Sequence, residues 1–404
     1  MSQITRIVLA GIGGYGANYV KSLINREQRG DPLRLVALVD PAAERSPVYN
    51  LVADRPCFSD LAICLESYPA DLVLISSPIQ HHMEQISIAL AHGAHVLCEK
   101  PMCATLNEAL LLIGRQQQAG KQVGIGYQWS YSPAILRAKA DVLAGRYGVP
   151  QVLRTRVYWP RNQAYFDRNS WAGHLYSHDG RPVFDSVLNN ATAHYLHNML
   201  FFLGQTLNES AVPEKIESRL LRAYDIETFD TALLRMEKNS TTGPVTLALA
   251  VSHSPDRTVD PDLDYLYSKG RLTTQDGRLL GYLAADAGQQ SGKDACEEID
   301  YGPIIGSDHV AEKMDALLDA VRRGTRPVCD LLTASAQTAV VTAVHQQSET
   351  LVLQPPQYQL VQNDEGTWRV VAGLADLMDR FIATLELPAS LADALHDQQS
   401  GQKA

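Results

Sequence analysis

The sequence predicts an α/β protein: an N-terminal Rossmann doubly wound parallel sheet, then a C-terminal α/β domain with a large, mostly antiparallel open sheet. Three observations carry this. Short β-branched runs alternate with amphipathic stretches from residue 4 to about 125. A glycine-rich run interrupts the first strand-to-helix transition. After Gly126 the alternation gives way to longer strand-like segments. The division falls at 125/126, giving an N-terminal domain at 1–125 and a C-terminal domain at 126–404.

Segments 7–10, 35–39, 72–75, 96–98 and 122–125 are apolar without alternation, the pattern of parallel strands covered on both faces. Beyond them, 133–144 has helical spacing and 152–158 reads as a strand. The stretch 159–190 is aromatic and polar without a clear period. Segments 215–222, 231–237 and 245–253 read as strands of the second sheet, and 186–204, 308–323 and 332–347 as helices. The closing residues GQKA are expected to be disordered.

At 404 residues, 45% hydrophobic and 20% charged, the chain has the composition of a globular protein with two domains. A net charge of −10 repels polyanions, so no nucleic-acid partner is expected. No apolar run reaches the ~18 residues that span a bilayer, and the N-terminus reads as a strand, which together imply a cytoplasmic protein without a membrane partner. The six cysteines form no CxxC pair and lie near no zinc-spaced histidines. They read as reduced structural thiols, and no metal is expected.

Gly11, Gly13 and Gly16 form GxGxxG between the first strand and the first helix. In that setting the first glycine permits the turn, the second lets backbone approach a pyrophosphate, and the third lets helix pack on strand. Asp40 closes the second strand at the spacing of a carboxylate that accepts ribose hydroxyls. It would repel a 2′-phosphate, which favours NAD over NADP. Two further strand ends lie where open parallel sheets bind ligands: Ser77-Pro78 after 72–75, and Glu99-Lys100-Pro101 after 96–98.

GIGGYG, Asp40, Pro78 with His82 four residues on, EKP at 99–101, the Gly126-Tyr127 pair and a helix carrying His194 together resemble the Gfo/Idh/MocA oxidoreductases, named for glucose-fructose oxidoreductase and inositol dehydrogenase. The resemblance implies a Rossmann domain, a C-terminal domain whose open sheet forms subunit contacts, and hydride transfer between a nicotinamide and a hydroxyl-bearing carbon of a sugar or polyol. It implies a homo-oligomer, dimer or tetramer, made through that sheet. Gly11, Gly13, Gly14, Tyr15, Gly16, Asp40, Ser77, Pro78, His82, Glu99, Lys100 and Gln128 would then contact the cofactor, with Pro78, His82 and Glu99 shaping the nicotinamide pocket. Lys100 would also touch the substrate hydroxyl, where a cation stabilises the developing alkoxide.

Within 186–204, Leu196, Met199, Leu200 and Leu203 form an apolar stripe, with Asn190, His194 and His197 roughly opposite. An imidazole suits removal of an alcohol proton. Relatives commonly read DxGxHxxD here, whereas this chain has Asn190, Thr192, His194 and His197. The base therefore lacks its usual carboxylate, and Asn190 orients the base or the substrate instead; Asp185 is a second source of a carboxylate. Catalysis is assigned to Lys100, His194 and Asn190. The loop 158–180 supplies aromatic faces for a sugar ring, with Arg161, Asn162, Asn169 and Trp171 as polar or stacking contacts. Residues expected to bind substrate are thus Lys100, Arg161, Asn162, Trp171, Asn190, His194 and His197. Two other functions fit the same architecture: an NAD-dependent glycoside-cleaving enzyme that oxidises transiently and eliminates the leaving group, and a dinucleotide-binding sensor without turnover.

Overall fold

The computed structural model describes residues 4–240, 243–284, 296–306 and 308–401. They fall into two compact units, Met1–Ser132 with Ile305–Thr338, and Pro133–Ile304 with Ala339–Ala404.

The first unit runs β1 (Thr5–Ala10), α1 (Gly16–Gln28), β2 (Leu33–Val39), β3 (Cys57–Phe58), α2 (Leu61–Ser67), β4 (Leu72–Ile75), α3 (Ile79–Ala91), β5 (His95–Cys98), α4 (Leu106–Ala119) and β6 (Val123–Ile125). Its six strands are parallel in the order β3-β2-β1-β4-β5-β6. All five expected strands are present. The sixth, β3, pairs only Cys57 and Phe58 with the end of β2, too short a run to show a period. The order reverses between β1 and β4, which opens the ligand crevice of such sheets beyond their carboxyl ends. Ile7, Leu9, Leu72 and Leu74 have no solvent exposure, which accounts for the unbroken apolar runs.

The second unit begins with α5 (Pro133–Leu143), β7 (Pro150–Tyr158), α6 (Gln163–Asp167), α7 (Ala193–Phe202), β8 (Lys215–Arg222), β9 (Thr231–Ser240), β10 (Gly243–Ser252), β11 (Val259–Tyr267), β12 (Gly270–Gln275), β13 (Arg278–Ala284) and β14 (Cys296–Pro303). The chain then returns to the first unit with α8 (His309–Arg323) and the start of α9 (Leu331–Gln347). Met314 and Leu317 of α8 share a core with Leu9 and Leu97. The division expected at 125/126 takes no account of this return, because an amphipathic helix shows in sequence that it is covered and not by what. The remainder is β15 (Thr350–Val352), the hairpin β16 (Gln359–Asn363) and β17 (Gly366–Val370), α10 (Leu374–Thr384) and α11 (Leu391–Gly401). Gly401 ends α11, and 402–404 of the tail expected to be disordered lie outside the described residues.

The nine strands of this unit's main sheet run β14-β13-β12-β11-β7-β10-β9-β8-β15, antiparallel except for the β7–β10 and β8–β15 pairs. Leu374, Met378 and Phe381 of α10 and Leu391 of α11 pack on Tyr158, Leu221, Leu233, Ala248 and Ala250 of the strands. The chain's own C-terminal helices thus cover one face of β7–β10.

The helix expected over 186–204 is shorter. Residues 186–192 form turns, and α7 starts at Ala193. Thr192 Oγ1 donates to the Val187 carbonyl at 2.5 Å and Asn190 Nδ2 to Asp185 Oδ1 at 2.8 Å, side-chain bonds that compete with helix formation.

Two histidines of this unit, His197 and His253, are buried, and a third, His345, is partly so. Burial lowers His197 and His253 to about 3, and lowers His345, held between Phe184 and Phe229, to about 4. Unfolded, each titrates near ~6.5, so on acidification the unfolded chain takes up protons that the folded one refuses. Their contribution is fully present above ~6.5 and is lost as pH falls, at about 1.4 kcal/mol per pH unit for each group. Urea unfolding should therefore show stability dropping from pH 7 to pH 5, with a shallower drop in His345→Phe; equal slopes for the two proteins would contradict this.

Candidate dinucleotide site and histidine helix

The site in the first unit begins at the turn from β1 to α1. Gly11 has φ +83°, and a Cβ there would lie 2.7 Å from the Ser76 backbone; one on Gly16 would lie 2.1 Å from the Gly11 carbonyl oxygen. Only glycine lets β1, α1 and the end of β4 meet this closely. A Cβ on Gly13 would enter open space. The N–H groups of Gly13, Gly14 and Tyr15 make no hydrogen bond among the described residues. Unsatisfied donors at a helix N-terminus beside such a space fit a pyrophosphate. Asp40, at the end of β2, accepts the Ile12 N–H at 2.9 Å and the Ala42 N–H at 2.8 Å, which fixes its carboxylate beside the turn. Each oxygen keeps acceptor capacity for a ribose diol.

The ends of β4 and β5 hold the next group. Pro78 is exposed, and Ser77 Oγ donates to Gln85 Oε1 at 2.6 Å. His82 is buried with Nδ1 2.7 Å from the Pro101 carbonyl and Nε2 2.8 Å from the Ser77 carbonyl. Its ring therefore ties together the two loops that carry Ser77 and Lys100. Burial lowers its pKa, while the two carbonyls and Glu99 oppose that shift. Lys100 is half-buried at the end of β5. Gln128 is half-buried at the start of the turn that follows β6.

Glu99 is committed inward. Its Oε1 accepts the Tyr19 hydroxyl at 2.7 Å and a short bond from the Lys313 ammonium of α8. Lys313 is fully buried, donates to the Tyr15 hydroxyl at 3.1 Å, and sits over the Tyr15 and Tyr19 rings. A Cβ on Gly126 would lie 2.9 Å from the Glu99 carboxylate, so that glycine makes room for the pair. Sequence reading missed Lys313. The available signal is that it shares the apolar stripe of α8 with Val310, Met314 and Leu317, all buried.

In the second unit, His194 is the only residue of α7 that is not buried; the other nine are. His197 is stacked on Phe201 and lowered to about 3 by burial and the Lys139 charge, so its ring belongs to the interior. Asn190 lies in the turns before α7. Its amide is held by Asp185, which also accepts the Gly173 N–H at 2.7 Å.

The aromatic stretch divides by role. Asn162 caps α6 by accepting the Tyr165 N–H and donates to the Glu365 carbonyl at 2.6 Å; Asn169 accepts the N–H groups of Trp171 and Ala172. Both shape the loop. The Arg168 guanidinium lies over the Tyr165 and Trp171 rings and pairs with Asp185 at 3.7 Å. Arg161 lies over Trp159 and Tyr165. Among the described residues no three His, Cys, Asp or Glu side chains gather as a metal site, and no helix is long and apolar enough to cross a membrane.

Residues 5–127 match the family model GFO_IDH_MocA, described as an oxidoreductase family with an NAD-binding Rossmann fold. This part of the chain belongs to the Gfo/Idh/MocA oxidoreductase family. Inositol 2-dehydrogenase of Streptomyces avermitilis is 30% identical over 155 residues, 38% of this chain and 44% of that protein. Galactose 1-dehydrogenase of Pseudomonas fluorescens is 37% identical over 207 residues, 48% of this chain and 62% of that protein. The chain thus spans about half the length of these curated relatives. The fold extends further: the WlbA dehydrogenase of Bordetella pertussis, solved with NADH and UDP-GlcNAcA, superimposes with a TM-score of 0.67 over 85% of this chain and 96% of that one, at 19% identity. That likeness of fold takes in both the parallel sheet and the mostly antiparallel one.

Removing one partner of a buried ion pair strands the other charge. Lys313→Met should lower the stability of the first unit by about 3–5 kcal/mol, and adding Glu99→Gln should restore much of the loss. A double-mutant cycle in urea with no coupling between the two sites would refute the pair.

Proposed function

We propose that the protein is an NAD-dependent dehydrogenase that moves hydride between a CH–OH group of a sugar or polyol and the nicotinamide. The observation that carries this reading is the set of unsatisfied N–H donors at Gly13, Gly14 and Tyr15, beside Asp40, in a sheet whose β5 is followed directly by Glu99-Lys100. The names of the inositol and galactose dehydrogenases support the substrate class. Bound NAD supplies the hydride acceptor. Gly11, Gly13, Gly14, Tyr15 and Gly16 hold its pyrophosphate, Asp40 its adenosine ribose, and Ser77, Pro78 and Gln128 the remainder of the dinucleotide. His82 and Glu99 act by positioning, through the loops and the Lys313 pair.

Lys100 holds an ammonium near the alcohol oxygen and stabilises the alkoxide that forms as hydride leaves. His194, half-exposed on a helix that is otherwise buried, accepts the alcohol proton. Asn190, oriented by Asp185, hydrogen-bonds the substrate or the base; Trp171 and Arg161 form part of the substrate wall. We assign His197 and Asn162 to packing and loop shape. Self-association in the cytoplasm, as a dimer or tetramer through the part of the C-terminal sheet that α10 and α11 leave uncovered, belongs to the same proposal.

Asp40→Ala should weaken NAD binding and narrow the gap between NAD and NADP measured by calorimetry; equal affinity of the unaltered protein for both would refute the role of Asp40. Lys100→Met should fold and bind NAD while turnover falls by ~10²-fold or more, and near-normal turnover would remove Lys100 from the chemistry. The same assays, run on sugars, inositols and aryl glycosides, should show NADH accumulating in proportion to substrate consumed. Release of aglycone without net NADH would replace this reading with glycoside cleavage.

A further inference from the structure

Arg161 and Arg168 flank α6, seven residues apart, both with the guanidinium over the Tyr165 ring, yet their charges are disposed differently. Arg168 pairs with Asp185 and donates to the Tyr165 carbonyl. The Arg161 guanidinium makes no hydrogen bond or ion pair among the described residues, and its Nε is buried without a partner. Its backbone is fixed on both sides: the N–H donates to the His253 carbonyl at 3.0 Å, and its carbonyl accepts the Tyr224 hydroxyl. The acid bonded to this wall, Asp260, accepts the Trp159 indole N–H at 3.0 Å and forms no ion pair with Arg161.

The two Nη groups, which are not closed off from solvent as Nε is, have no acceptor among the described residues and are the donors a ligand would meet. The Trp159 and Tyr165 rings, with centroids at 5.6 and 4.9 Å, are positioned to hold the cation by cation–π attraction. The N–H donors of a guanidinium lie in its plane, so stacking leaves them free for a planar two-oxygen acceptor. The wall continues to α7. Trp159 meets Tyr195 edge-on at 5.7 Å, and Tyr195 is the neighbour of His194.

We propose that Arg161 is the anchor for a carboxylate on the substrate, so that the preferred substrate is a sugar acid or polyhydroxy acid rather than a neutral sugar. This rests on the dehydrogenase reading for its reaction, but not for its binding. The protein's net charge of −10 opposes such a ligand at long range, so the preference comes from this local contact.

The test uses the full chain with NAD and the matched pairs D-galacturonate and D-galactose, and D-glucuronate and D-glucose, with D-glucose 6-phosphate as a second anion. NADH formation and calorimetric binding are measured separately. Each acid should be favoured over its neutral partner by ten-fold or more in kcat/KM and in Kd. Arg161→Gln should erase that preference, Arg161→Lys should keep part of it, and salt should weaken acid binding. Equal use of acid and neutral members, a preference unchanged by Arg161→Gln, the phosphate outcompeting both acids, or no binding of either acid would each overturn the assignment. Oxidation of neutral sugars without acid preference would sink the carboxylate anchor and leave the dehydrogenase reading standing. Arg161-dependent acid binding without NADH formation would do the reverse.

Discussion

A lysine ammonium with no access to water must find a carboxylate, and in this protein that requirement ties together distant parts of one unit. Lys313 enters on α8, a helix that reaches the parallel sheet only after strands β7–β14 of the second sheet, and meets Glu99 at the end of β5. Tyr15 of the glycine turn and Tyr19 of α1 complete the network. The strand that presents Lys100 and the turn that presents unsatisfied N–H donors are thus held by the same buried charge. Losing one member would leave an uncompensated ion in a dry interior, a larger penalty than the loss of a surface bridge.

Around that network, function is divided between groups that hold and groups that face outward. Glu99 and His82 lie on the ligand end of the sheet, but their polar atoms are spent on Lys313, Tyr19 and two loop carbonyls. Gly13, Gly14 and Tyr15 offer donors with no internal partner. The second unit repeats the arrangement. His197 is sealed inside α7 while His194 is left at its surface, and Arg168 is neutralised by Asp185 while Arg161 is not.

Much of this was legible in the chain. Continuous apolar runs show five of the six parallel strands because strands covered on both faces have no polar side to display. GxGxxG is readable because its requirements are local: the close approaches of Gly11 to the Ser76 backbone and of Gly16 to the Gly11 carbonyl leave no alternative residue. The two-residue β3 has no period to read. The start of α7 was misplaced because Asp185 and Val187 capture Asn190 and Thr192 by side-chain hydrogen bonds, a competition that helical spacing does not reveal.

By itself, the sequence determined the two-sheet α/β architecture, the dinucleotide fingerprint and the presence of Lys100 and His194, because each depends on periodicity or on neighbours close in the chain. Tertiary structure alone decided which polar groups have partners. Whether Glu99 faces a ligand or a lysine 214 positions away, whether Asn162 binds a substrate or caps a helix, and which of two similar arginines keeps its charge available are settled by contacts between distant residues. A side chain's chemistry is written in its identity, but its availability depends on what the fold brings within hydrogen-bonding distance.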